Sequence, residues 1–194
     1  MANDAGFTKL IGPTRRLPSS MRNAFYDSRR CVALLCLCGG LLLSGGAPSS
    51  AWADAFGAGA SAYARQDYMR SAKILSALAV EGDARAQTYL GFMYAHGRGV
   101  PQNYDAAARW MRLAAEQDLP AAQFFLGLMY DKGQGVPQDF VLAHAWLNLA
   151  AAHAGRRERD YWTRVRDSVA SKMSLAQLAE ARQLAFDWRP TRAR

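Results

Sequence analysis

Two stretches of the chain, GRGVPQNYDAAARW from Gly97 to Trp110 and GQGVPQDFVLAHAW from Gly133 to Trp146, repeat one pattern. They share GxGVPQ, an alanine ten residues on (Ala107, Ala143) and a closing tryptophan. At a fixed offset of 36, residues 86–115 match residues 122–151 at 16 of 30 positions. A period between about 20 and 50 residues marks stacked supersecondary units, none of which can bury its apolar face alone. Weaker echoes run backwards: Asp67-Tyr68 falls in register with Asn103-Tyr104 and Asp139-Phe140, and EGDARAQ (81–87) with QDLPAAQ (117–123).

Each unit reads as two helices. Ala86, Leu90, Met93 and Tyr94 recur at i, i+4, i+7 and i+8, an apolar stripe on the first helix. On the second, Tyr104, Ala107, Met111 and Ala114 share a face; small residues admit a neighbouring helix, and Trp110 beside them reads as a core filler. Between the helices, Gly97 and Gly133 stand where a helix must stop, because glycine enters the left-handed region without Cβ strain. His96 and Lys132 precede them, at the negative end of the helix dipole. Pro101 and Pro137 block helix continuation, and Asp67, Asn103 and Asp139 occupy an N-cap slot. Gly91, Gly97, Gly99, Pro101 and Trp110, with Gly127, Gly133, Gly135, Pro137 and Trp146, are therefore read as structural repeat residues.

The repeat stops after Gly155. Trp162, Val165, Val169 and Met173 form a further stripe, and Ser174 with Gln177 predicts a capping box opening a helix with Leu178, Ala181, Ala185 and Trp188 on one side. Pro190 lies past its end. This helix pair is expected to cover the last repeat, as a terminal cap must in a solenoid.

The pattern AxAQxxLGxMYxxGxGVPQ(N/D)(Y/F)xxAxxWxxLAA resembles the Sel-one-like repeat, a relative of the tetratricopeptide repeat, over residues 83–154. The resemblance implies an all-α fold, a right-handed α-solenoid of stacked helix hairpins that binds proteins or peptides, with no shared catalytic residue. It divides the chain into a degenerate N-terminal repeat (54–82), two repeats (83–118 and 119–154) and C-terminal capping helices (155–194). Some cysteine-rich secreted members of the family, which carry a cysteine pair in each repeat, are linked to β-lactam binding or hydrolysis, and residues 54–194 contain no cysteine. An envelope hydrolase, or a regulator of envelope polysaccharide or secretion machinery, is the alternative reading.

Catalytic and cofactor patterns are not found. GRGVPQ lacks the Lys-Ser/Thr of a phosphate-binding loop and follows a helix rather than a strand; HExxH and GxSxG are absent. His144 and His153 lie nine residues apart without a ligand-spaced partner, and with His96 they read as surface or half-buried histidines. No enzyme activity, cofactor or metal is expected. The 24 Lys and Arg exceed the 16 Asp and Glu, but residues 1–53 carry six of the former and two of the latter. The one dense basic run, GRRERDYWTRVRD (155–167), is interleaved with acids and reads as a solvated helix face, neither a nucleic-acid footprint nor a phosphate patch. The remaining functional signal is a surface on the first helices: Tyr89, Phe92, Phe124, Phe125 and Leu128 lie off the apolar stripe, with Arg85, His96 and Lys132 as a polar rim. These eight residues are the candidate partner-binding set, the alternative being that the aromatics pack between repeats.

The front of the chain reads as an export signal at residues 21–53. Arg22, Arg29 and Arg30 precede a 13-residue apolar run, Cys31 to Leu43, and Ala51-Trp52-Ala53 offers a small-x-small cleavage site. The run is shorter than the roughly 20 residues needed to span a bilayer. Cleavage would start the exported protein at Asp54, in a bacterial periplasm or outside the cell; membrane attachment would arise only if the signal stayed uncleaved. Residues 1–20 read as an upstream segment ahead of a start at Met21. All three cysteines lie in the apolar run, so the exported chain is expected to rely on packing.

Overall fold

The computed structural model describes residues 49–190, with side chains described from Asp54 onward. Among the described residues eight helices and no strand are present: α1 Ser49–Ala64, α2 Tyr68–Val80, α3 Ala84–His96, α4 Tyr104–Glu116, α5 Pro120–Lys132, α6 Phe140–His153, α7 Arg159–Ala170 and α8 Leu175–Asp187. Successive helices pack on one another from α1 to α6, and both α7 and α8 pack on α6. This is the all-α stack of helix hairpins that the period predicts. The upstream segment and export signal read at 1–53 lie outside the described residues, except that Ser49–Ala53 open α1.

The GxGVPQ linker is a hydrogen-bonded hinge built twice. Gly97 and Gly133 are left-handed (φ 66° and 67°), and their N–H groups reach back to the Met93 and Met129 carbonyls. The Arg98 and Gln134 N–H groups donate to the same two carbonyls. The Gln102 side chain donates to the Ala95 carbonyl at 2.9 Å, and Gln138 to Asp131 at 2.7 Å. The final glutamine of the motif thus satisfies a carbonyl that the ended helix leaves unpaired. Asn103 and Asp139 then cap α4 and α6, accepting from Ala106 N–H and Leu142 N–H, as Asp67 accepts from Arg70 N–H for α2.

The second glycine of each linker has a different cause. A Cβ on Gly99 would overlap the Tyr68 carbonyl, and one on Gly135 the Tyr104 carbonyl. Tyr68 and Tyr104 open the second helices of the preceding units. Each linker therefore lies with bare backbone against the unit before it. Buried glutamines add a second tie: Gln87 donates to Ala79 O at 3.1 Å, and Gln123 to Ala115 O at 3.4 Å and to Asp118 at 3.0 Å.

Within each hairpin, Gly91 and Gly127 admit Met111 and Leu147 against the first helix. The two tryptophans of the repeat differ. Trp146 is fully buried and meets Trp188, the residue that caps the end of α8, edge-on at 6.0 Å. Trp110 is only half-buried at the margin of the α2–α3 core, a correction to its reading as a core filler, because no tryptophan of a terminal cap closes over it. Tyr104, expected on the apolar face of α4, is exposed at the first position of the helix. Ser174 and Gln177 form the expected reciprocal box at α8.

His144 departs from a surface or half-buried setting: it is 3% exposed, and its Nδ1 has no hydrogen-bond partner. Burial, reinforced by Arg166 and Arg182 and opposed by Asp167, lowers its pKa to about 4, so it folds neutral.

Gly97→Val should destabilise by about 1–2 kcal/mol through left-handed strain alone, since its Cβ site touches nothing closer than 3.4 Å. Gly135→Ala should cost more, because backbone must move; equal melting temperatures for the two would contradict this. Trp146→Ala should cost about 3–5 kcal/mol and Trp110→Ala measurably less, read from denaturant midpoints. The unfolded His144 imidazole titrates near pH 6.5. The stability gained by keeping it neutral is therefore complete above that pH and falls as pH drops toward about 4. His144→Leu should flatten stability across that window, and an unchanged slope would count against the buried neutral imidazole.

Candidate functional site

A groove of about 370 Å³ opens between α3 and α5, and the start of α4 borders it. Phe92 and His96 form one wall, Phe125, Leu128 and Lys132 the other, and Tyr104 with Gln102 and Gln134 closes the linker end. Both walls sit on the helices that Gly97 and Gly133 terminate. The hinge therefore fixes where the walls end and places His96 and Lys132, the last residues of α3 and α5, at the same end of the groove.

The aromatic side chains are held by each other. Phe92 meets Phe125 edge-on at 5.5 Å and stacks on His96 at 4.0 Å. His96 Nδ1 lies 2.9 Å from the Phe92 carbonyl, which fixes the ring over its own helix. The Arg98 guanidinium lies 5.5 Å from the centre of the Phe92 ring and bonds the Tyr63 hydroxyl. Lys132 is exposed and pairs with no carboxylate among the described residues, whereas its neighbour Asp131 is bound to Lys172 at 2.7 Å.

Of the eight residues expected to meet a partner, the structure gathers five here: Phe92, His96, Phe125, Leu128 and Lys132. Arg85 and Tyr89 lie further toward the N-terminus. Arg85 pairs with Asp83 at 3.0 Å and covers the Phe56 ring, and Tyr89 packs edge-on against Phe56 and Tyr63. Phe124 is removed from the set: it is 5% exposed and stacks on Trp162 at 4.9 Å, so it seals α7 onto α5. Adjacent residues on a helix point about 100° apart, which separates Phe124 from Phe125. Gln102, Tyr104 and Gln134 were not expected in the groove; their proximity depends on how the linker folds back onto the helix ends.

Groups capable of nucleophilic or metal chemistry are scattered. His96 is stacked on Phe92, His144 is buried in α6, and His153 lies 3.1 Å from Asp118. Among the described residues no group of three or more His, Cys, Asp or Glu side chains is placed to hold a metal ion.

Residues 84–119 and 120–154 each match the Sel1 repeat family, and the matched segments begin at the first helices α3 and α5. The crystal structure of a protective antigen present in uropathogenic Escherichia coli strains, displaying an SLR fold, is 31% identical with a TM-score of 0.64, over 69% of this chain and 29% of that one. A Sel1 repeat protein from Oxalobacter formigenes is 38% identical with a TM-score of 0.45, over 45% of this chain and 25% of that one. The chain thus spans less than a third of either solved relative. No curated protein matches it. Residues 84–154 are thus two Sel1 repeats, a tetratricopeptide-related helical repeat that typically serves as a scaffold for protein interaction.

Proposed function

We propose that this protein is an exported bacterial scaffold that holds a peptide segment of a protein partner in the groove between α3 and α5. The observation that carries the reading is the groove itself: Phe92 and its counterpart one repeat on, Leu128, line one opening together with Phe125, which meets Phe92 edge-on, beside an uncompensated Lys132. An apolar side chain of the partner would insert against Phe92, Phe125 and Leu128. Aromatic rings locked by neighbouring rings lose little conformational entropy on binding, which favours them as anchors. Lys132 and His96 would meet polar or acidic groups at the linker end. No bond is made or broken in this mechanism. The basic n-region, the apolar run and the Ala51-Trp52-Ala53 site support export, with the protein acting in the periplasm or outside the cell.

Leu128→Asp combined with Lys132→Glu reverses the character of one wall without touching the Phe92–Phe125 contact. Binding of a partner captured by the wild-type protein should weaken at least about tenfold with little change in melting temperature. Unchanged binding would contradict the groove. The exported protein should begin at Asp54 on N-terminal sequencing, and a start at Met1 or Ala2 would contradict the export reading.

A further inference from the structure

A second opening, about 310 Å³ in volume, lies between α6 and α7. Its lining is Asn148, Ala151 and Ala152 from α6, with Arg159, Thr163 and Arg166 from α7. The spacing i, i+4, i+7 puts the three α7 residues on one face. Ala151 and Ala152 contribute methyl groups to the lining, and each of its polar side chains can donate a hydrogen bond. No carboxylate lines the cleft.

The two guanidinium groups are differently committed. Arg166 gives its Nε and Nη2 to Asp167 at 3.0 and 2.8 Å, and its Nη1 crosses to the Asn148 amide oxygen at 3.2 Å. Arg159 donates only to the Ala154 carbonyl, at 3.1 Å, and pairs with no carboxylate among the described residues. A full positive charge therefore stands at the mouth of the cleft, backed by the Thr163 hydroxyl and the Asn148 amide. Burial of His144 beneath keeps that imidazole neutral, in a field that Arg166 and Arg182 make positive and Asp167 partly offsets.

The preceding repeat shows what is special about this place. At the offset of 36, Asn148 corresponds to Arg112 and Ala152 to Glu116, while Ala151 corresponds to Ala115. In that unit the space is filled from within: Arg112 donates to the Tyr130 hydroxyl at 2.9 Å and offsets the charge of Glu116, whose carboxyl burial pushes upward. The same offset carries Tyr130 onto Arg166, so the Arg112–Tyr130 bond becomes the Asn148–Arg166 bond with donor and acceptor exchanged. The last repeat has thus lost both a bulky arginine and its acid, and the arginines now come from the capping helix. A slot neutralised by its own side chains has become an open cleft with surplus positive charge.

We propose that the α6–α7 cleft binds a small oxyanion, a phosphate or carboxylate group, on Arg159, Arg166, Thr163 and Asn148. Planar guanidinium forks match such groups in geometry as well as charge. Part of the basic run 155–167 is therefore more than a solvated face: Arg157 and Arg164 are exposed to solvent outside the cleft, whereas Arg159 and Arg166 line it.

The test titrates the full chain with inorganic phosphate and, separately, with acetate, at ionic strength held constant with chloride, following the amide signals of Asn148 and Thr163. At least one anion should give saturable shifts centred on the cleft; tighter phosphate binding assigns the phosphate class, and tighter acetate binding the carboxylate class. Arg159→Gln should weaken binding at least about tenfold, Arg159→Lys by less, and Arg164→Gln not at all. Ala152→Glu, which restores the acid of the preceding repeat, should abolish it. Failure of both anions to saturate would overturn the proposal, as would equal weakening by Arg164→Gln and Arg159→Gln. Should melting show Ala152→Glu to be unfolded, the Arg159 pair decides alone.

Discussion

The stack depends on one backbone contact: the second glycine of each GxGVPQ linker lies directly on the carbonyl that begins the preceding unit's second helix. No side chain fits between them, so the spacing of units is set by main chain rather than by side chains that could repack. The first glycine ends the helix, the glutamine satisfies a freed carbonyl, and Asn103 or Asp139 starts the next helix. Because these bonds recur at the period of the sequence, the first helices of successive units are brought alongside one another in the same register. That register puts Phe92 against Phe125, and from it the groove follows.

The ends of the stack are handled by different chemistry. Trp188 on Trp146 and Trp162 on Phe124 seal the capping helices to the last repeat. Because those helices are not repeats, they bring residues that the repeat pattern does not dictate. Arg159 and Arg166 are such residues, and they face a part of α6 where the repeat's own arginine and acid have been replaced. A repeating stack thus has one groove that arises from repetition and one cleft that arises where repetition ceases.

Much of this was legible from residues alone, and the reasons are local. Gly97, Pro101, Asn103 and the Ser174–Gln177 box act within a few residues of themselves, so their spacing carries their meaning. The period of 36 made the stack legible in the same way. Burial of individual side chains was less so, because it depends on which unit lies next door. Trp110 and Trp146 occupy one repeat slot, yet only Trp146 has the tryptophan of a cap above it. Phe124 and Phe125 are neighbours in sequence, and the position of α7 decides that one is sealed and the other open. Gln87 and Gln123 stand in the motif, but their carbonyl partners lie eight residues back across a turn. The α6–α7 cleft was hidden because charge counting cannot tell which arginines of a mixed run line one opening.

The central claim is that the doubled glycine loop builds the fold while the faces it positions do the binding. Photo-crosslinking from single positions of the full chain in its native host tests this most directly. A photoreactive residue at position 128, in the α5 wall of the groove, should crosslink a partner, and one at the exposed linker position 101 should not. Crosslinking from position 101 with none from position 128 would place binding on the loop and contradict the account.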